Sequence, residues 1–469
     1  MTGSKDAAPQ DKPKSRGRAD LMPAPTSPMA VGRKLAAGYQ SKDGYQTLRT
    51  WRGEWMTWRG AHWAETEKEQ IKSWTYRQLE HARYKDAEGH EKNWSPTRGK
   101  ILDVLDSLAA ITHQSQETDP PTWTDGHPPW DRGTVVACAN GLLHVGTRHL
   151  YPLNPRWFNL VSVPFDYDGE APDPAHWLTF LKTVWPDDDQ SIEALQEWFG
   201  YVVSGRTDLQ KILLMIGPTR SGKGTIARVI SALMGRGNVA GPTLSSLGTS
   251  FGLQALLGKP LAIVSDARLA PQDSRTVVER LLSISGEDML SVPRKYKDDW
   301  TGKIPSRFMI LSNELPTFGD ASAAIAHRFV ILQMAQSFLG REDRDLYGRL
   351  LPELPGILNW ALAGLDRLDQ KGTLTRPQSS EDAANVLQDL ASPISAFIRE
   401  RCILGAGLEI SVDALFALWQ SWCELNNHHA SNSPTFGKNL RAAAPSVTKT
   451  RPNTDDGREW RYAGITRAV

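Results

Sequence analysis

The stretch "IGPTRSGKGTIARVI", residues 216–230, closes the apolar run "KILLMI" and opens a helical pattern, so it reads as a strand, a tight turn and a helix. Gly217, Gly222 and Lys223 have the spacing of a loop whose backbone N–H groups cradle phosphate oxygens while the lysine offsets their charge. In the usual pattern a hydroxyl residue follows the lysine and ligates magnesium. Here that place holds Gly224, and the hydroxyl falls one position later, at Thr225. Gly217, Pro218, Thr219, Arg220, Ser221, Gly222, Lys223, Gly224 and Thr225 are therefore the predicted nucleotide contacts, with Thr225 a candidate magnesium ligand. By itself the stretch admits both a phosphotransferase and a nucleotide-driven motor.

Moving outward, apolar runs alternate with helical patterns over residues 205–340, the signature of a parallel sheet covered by helices. A nucleotide hydrolase needs an acid at the end of a neighbouring strand, and "KPLAIVSDARL" supplies Asp266 as a second magnesium ligand and catalytic acid. An Asp after a strand also serves as a turn or helix cap. A third strand, "PSRFMILSNELP", ends in Asn313, whose amide fits the task of holding the lytic water in line, although such residues are also common turn formers. "IAHRFVIL" then presents Arg328, which would stabilise transition-state charge on a nucleotide held by a neighbouring subunit, or else make a surface ion pair. Between the acid and Asn313, "SVPRKYKDDWTG" puts Arg294, Lys295 and Lys297 around Tyr296 at a turn. This is a basic hairpin suited to gripping a DNA backbone, with an aromatic ring for stacking; plain solvated charge is the alternative.

The flanks are of different composition. Residues 1–40 carry seven Lys and Arg against three Asp with almost no aromatics, the pattern of a disordered basic tail. Residues 41–204 form the predicted N-terminal α+β domain. In it Trp51, Trp55, Trp58 and Trp63 suggest a strand hairpin before the helix "EKEQIKSWTYRQLEHARY", with the rings as core in preference to a base-stacking platform. "TVVACANGLLHV" and "NLVSVPFDYDGEAPDP" read as strands. In the latter Asp166 and Asp168 resemble a metal pair, but proline and glycine crowding favours a surface turn. "SIEALQEWFGYVVSG" reads as a helix leading to the loop. Residues 341–392 form a helical extension and linker, and 393–469 a winged-helix-like unit ending in the strand "GREWRYAGI".

At 469 residues the chain exceeds what one core usually sustains, so several domains are expected. Cys138, Cys402 and Cys423 lack CxxC spacing, which excludes a zinc ribbon and a disulfide framework and fits a reducing cytoplasm. The N-terminus lacks an apolar signal core and no run reaches the length of a membrane span, so a soluble, non-exported protein is expected. The formal charge of +1 gives no global nucleic-acid footprint, and DNA contact would have to come from local clusters.

The ordered set of Lys223, Asp266, the basic hairpin, Asn313 and Arg328 resembles the superfamily 3 helicases, specifically the helicase half of phage and plasmid primases related to satellite-phage and poxvirus primase-helicases. "GPTRSGKGT", "GKPLAIVSDAR", "ISGEDMLSVPRKYKDDW", "FMILSNELP" and "AHRFVIL" match its phosphate loop, acid motif, DNA hairpin, sensor and arginine motif. The resemblance implies an AAA+-like α/β ATPase core using ATP and Mg2+, assembled as a homo-hexameric ring that translocates on single-stranded DNA. It also implies work beside element or host replication proteins in a bacterial cytoplasm. Gly224 and the Ser265–Asp266 acid motif depart from the family, so which group holds magnesium and which activates water stays open. Residues 1–150 offer neither the room nor the carboxylates of a primase domain, and no primer synthesis is expected. Two rivals belong to other classes. One is a nucleoside kinase, whose loops end in a similar SGKGT, although such loops lie near the chain start. The other is a replication initiator that melts origin or forked double-stranded DNA without processive unwinding. The basic C-terminal stretch supports it, with Lys438, Arg441, Lys449, Arg451, Arg458, Arg461 and Arg467. A scaffold that merely binds nucleotide is a third possibility.

Overall fold

The computed structural model describes residues 21–130, 134–265, 274–295, 297–316, 325–391, 393–426, 428–451, 453–454 and 457–468. The chain forms two compact units, one from residues 1–129 with 153–160, the other from 130–152 with 161–469.

In the first unit the strands Leu48–Trp51, Glu54–Trp58 and Trp63–Thr66 make an antiparallel meander, and His113–Gln114 adds a short parallel edge. Alternation sends Leu48 and Trp55 to one face, where they join Val31, Ile71, Ile101 and Leu108 from the covering helices. Trp51, Met56 and Trp63 pack on the other face with Phe158. Three of the four tryptophans of the motif are buried and Trp58 is half-buried, so the cluster is core.

Two sequence expectations need correction. Residues 28–37, assigned by composition to a disordered tail, form a helix opened by Pro28 that buries Val31, Leu35 and Ala36 against the helix Arg98–Ile111. Average composition missed it because only three apolar residues at helical spacing carry the burial. The segment 159–174 is not a strand. Val163 donates to the carbonyl of Ala137 and Ala139 to that of Phe165, but Pro164 and Pro172 lack the N–H that a continuous ladder needs. Asp168 accepts from the Glu170 amide in a turn of this segment. The hairpin lies wholly within "TVVACANGLLHV", as strands Val135–Cys138 and Gly141–His144.

The second unit is built on a five-stranded parallel sheet in the spatial order Val239–Ala240, Leu261–Val264, Arg307–Ser312, Ile212–Ile216, Phe329–Gln333. The strand Ile212–Ile216 is buried at every position because both sheet faces are covered. Leu213 and Met215 face the helices Asp189–Val203, Lys223–Met234 and Leu354–Lys371, whereas Ile212, Leu214 and Ile216 face the helix Ser274–Ser285 and the base of the Leu290–Gly302 hairpin. A helical extension follows, and the C-terminal part comprises helices Pro393–Arg401, Val412–Leu425 and Ser433–Ala443 against strands Cys402–Ser411, Arg461–Arg467 and Thr448–Thr450. Phe397, Trp419, Trp422, Phe436 and Tyr462 fill its core. All three cysteines are buried free thiols. No helix among the described residues is long and apolar enough to cross a membrane.

The helices Asp189–Val203 and Leu354–Lys371 touch backbone to backbone. A Cβ on Gly200 would lie 2.5 Å from the Ala361 carbonyl oxygen, and one on Gly364 would lie 2.5 Å from that of Gln196. Between them the buried carboxylate of Glu197 accepts from Arg367 Nε at 2.7 Å and from the Thr375 amide at 2.6 Å, so a charge taken from water is fully partnered. Gly200→Ala or Gly364→Ala should each cost about 1–3 kcal/mol, seen as a lower midpoint of thermal unfolding. Gly237→Ala, where a methyl meets no atom, should leave that midpoint within error.

Candidate functional site

The strand Ile212–Ile216 ends where the chain has no room for a side chain: a Cβ on Gly217 would lie 2.5 Å from the carbonyl oxygen of Met334. The loop then curls through positive φ at Arg220 (61°) and Gly222 (102°), and the helix Lys223–Met234 begins. A non-glycine residue at such an angle is strained, which concentrates at functional loops. The curl is held from outside by residues after the last sheet strand. Met334 N donates to Ile216 O at 2.7 Å, Ser337 Oγ to Thr219 O at 2.8 Å and Phe338 N to Arg220 O at 2.9 Å, and Arg220 pairs with Glu342.

Lys223 folds back over the loop, donating to Gly217 O at 2.6 Å, Pro218 O at 2.9 Å and Ser221 Oγ at 3.2 Å. Burial holds its pKa below that of a free lysine. No carboxylate is among these partners, so the ammonium rests on dipoles that an anion would outcompete. Next to it lies a cavity of about 1410 Å³ lined by the loop, by Thr225, Arg228 and Val239, and by Phe338 and Arg341 of the outer segment. Arg228 lies over the Tyr347 ring at 4.7 Å and reaches Thr225 Oγ1 at 3.5 Å.

Asn313 follows the strand Arg307–Ser312 at the same sheet edge, is exposed and lines this cavity, as does Ser265 after Leu261–Val264. Asp266 lies outside the described residues. Arg328 is elsewhere. It precedes the strand Phe329–Gln333, whose Phe329 pairs with Ile212 and whose Gln333 pairs with Ile216. It therefore sits at the opposite edge of the sheet, ~17 Å away by strand rise, hydrogen-bonded to the carbonyl and side chain of Gln210. Beside it Lys211 donates to His327 O at 2.7 Å, and burial, then Arg376 and Arg328, lower the Lys211 pKa.

The basic hairpin is present as strands Leu290–Arg294 and Lys297–Gly302, with Arg294 paired to Lys297 at the tip and Val292 opposite Trp300 at the base. Lys295 is exposed at the turn; Tyr296 and the Lys297 side chain lie outside the described residues. The cavity brings together Lys223, Thr225 and Asn313 but neither Arg328 nor the hairpin. The sequence reading missed the outer wall, residues 334–349. The arginine-rich run "GREDRDLYGR", residues 340–349, separated by six residues from the apolar strand Phe329–Gln333, was its available signal.

Residues 43–186 match the family described as D5 N terminal like, and residues 391–462 the one described as Poxvirus D5 protein-like. Two apo structures of the C-terminal region of NrS-1 share the fold. One has a TM-score of 0.53 at 13% identity, covering 90% of this chain and 97% of that one; the other has 0.54 at 12%, covering 94% and 99%. Residues 43–186 and 391–462 thus each resemble a D5-type family, over separate parts of the chain. A third match, to a family of unknown function (DUF5906), spans residues 215–328, from within the loop strand to Arg328.

Gly217→Ala should force the Met334 carbonyl aside and lower the thermal midpoint by several degrees, from a cost of about 1–3 kcal/mol. At Gly224 a methyl meets nothing within 4 Å, and Gly224→Ala should leave the midpoint unchanged by differential scanning calorimetry.

Proposed function

We propose that this chain, with its D5-like segments, is a primase-helicase relative: an ATP-dependent DNA helicase or translocase that acts as a ring on single-stranded DNA, opens forked duplex, and shares its active sites between copies. The observation that carries the reading is the split between sheet edges: the lysine loop and Asn313 line one cavity, while Arg328 stands at the far edge, where it can complete only another copy's site.

In this reading the five-stranded sheet is an AAA+-like phosphate-loop core. Backbone N–H groups of Gly217–Thr225 and the Lys223 ammonium receive the ATP phosphates, and the carbonyls that now satisfy Lys223 are released. Thr225 and Asp266 would hold Mg2+, which offsets phosphate charge; the Thr225 hydroxyl fits because it lines the cavity beside Lys223. Asn313 orients the attacking water, and Arg328 of the adjacent copy steadies charge on the leaving phosphate. Arg294, Lys295, Tyr296 and Lys297 grip the strand being moved. The C-terminal helices and three-stranded sheet form a winged helix. Exposed Lys438 and Arg441 on the helix Ser433–Ala443 favour a second reading, an origin-binding initiator, for which the same site would drive assembly.

Lys223→Ala and Arg328→Ala should each reduce DNA-stimulated ATP hydrolysis more than a hundredfold, with nucleotide binding kept in Arg328→Ala. Mixed one to one, the two variants form intact interfaces at about a quarter of positions by random assortment, and should regain hydrolysis on that scale. Absence of any recovery would remove the shared site. Lys295→Ala with Lys297→Ala should keep basal hydrolysis and lose its stimulation by DNA.

A further inference from the structure

The C-terminal part holds three tryptophans of very different fate. Trp419 and Trp422 are 4% and 3% exposed and stacked on each other, whereas Trp460 is 45% exposed and lies outside that core. Its backbone is fixed, because its carbonyl accepts from Val412 N at 3.0 Å where the helix Val412–Leu425 begins. Two exposed cations lie over its ring, Lys449 Nζ at 4.9 Å and Arg451 Cζ at 5.3 Å from the centroid. The strand register explains the meeting: Lys449 pairs with Tyr462 and Thr450 with Arg461, which brings Arg451 level with Trp460. The next cation, Arg461, is instead neutralised by Glu409 and Glu459.

An indole held out on rigid backbone, flanked by cations, suits a ligand that offers a flat π-face beside a negative charge. A duplex hides its base faces in the stack; an unpaired nucleotide offers both base and phosphate. We propose that Trp460, Lys449 and Arg451 form a stacking site for single-stranded nucleic acid, separate from the Leu290–Gly302 hairpin. The site rests on the helicase reading only for the biological source of the strand.

The test is fluorescence anisotropy with the full chain, without nucleotide, using a labelled oligo-dT and a blunt duplex of equal length. Trp460→Ala should weaken oligo-dT binding about tenfold and duplex binding less than twofold, while Trp460→Phe stays within about threefold of wild type. Lys449→Gln with Arg451→Gln should flatten the salt dependence on oligo-dT by about 1.4 in log–log slope. The Trp460→Ala loss should persist in the Lys295→Ala, Lys297→Ala background. Unchanged oligo-dT affinity in Trp460→Ala overturns the site, and equal losses on both DNAs overturn stacking in favour of backbone contact. A wild-type chain that binds neither DNA overturns the DNA reading as well, which separates the two failures. Basal ATP hydrolysis should be the same in Trp460→Ala as in wild type.

Discussion

The close approach of Gly217 to the Met334 carbonyl is the constraint on which the candidate site depends. The strand Ile212–Ile216 runs between two parallel neighbours and is covered on both faces, so its chain can leave only along the sheet edge. With the next backbone at van der Waals limit, the exit must be a bare backbone turn. Positive φ at Arg220 and Gly222 completes it, and the outer segment fastens it with backbone and hydroxyl hydrogen bonds. The loop's shape is thus imposed by the sheet and its covering chain, and the strain at Arg220 is offset by the burial that fixes both.

Parallel strands also sort the chemistry. All five strand ends that follow the same direction meet at one edge, which is why Lys223, Ser265 and Asn313, distant in sequence, reach one cavity. The opposite edge collects what precedes the strands. Arg307 there is wholly buried, with its guanidinium donating to the carbonyls of Val202 at 2.8 Å, Gly205 at 3.2 Å and Pro305 at 2.7 Å. Burial pushes its pKa down to about 10, yet it stays charged at neutral pH, opposite the negative end of the helix Asp189–Val203. It locks that helix to the sheet, whereas Arg328 on the same edge hydrogen-bonds, among the described residues, to the carbonyl and side chain of Gln210.

The sheet strands and the loop were legible because they are long apolar runs bounded by glycine and proline, where periodicity and punctuation agree. The helix at 28–37 was not, since three apolar residues in a charged stretch do not shift an average, and the irregular run at 159–174 was misread because β-prone residues there alternate with prolines. Lys223, Thr225 and Asn313 could be named from spacing. Their enclosure could not, because the wall at 334–349 approaches the loop only through the sheet order, which places Phe329–Gln333 beside Ile212–Ile216.

Net charge is the weakest guide to this molecule. A formal +1 says nothing of DNA, yet the cations are not evenly spent: Arg367 is bound to buried Glu197, Arg206 to Asp208 and Asp369, and Arg461 to Glu409 and Glu459. Those pairs cancel within a few ångströms and cast little field beyond a Debye length of about 10 Å. Other cations among the described residues are set out locally, with Lys211 and Arg328 at one sheet edge and Lys449 and Arg451 on the Trp460 ring. Each lies in or next to a paired strand, so the charge is presented in a set direction, and a nearly neutral chain can carry separate anion-seeking surfaces without a basic composition.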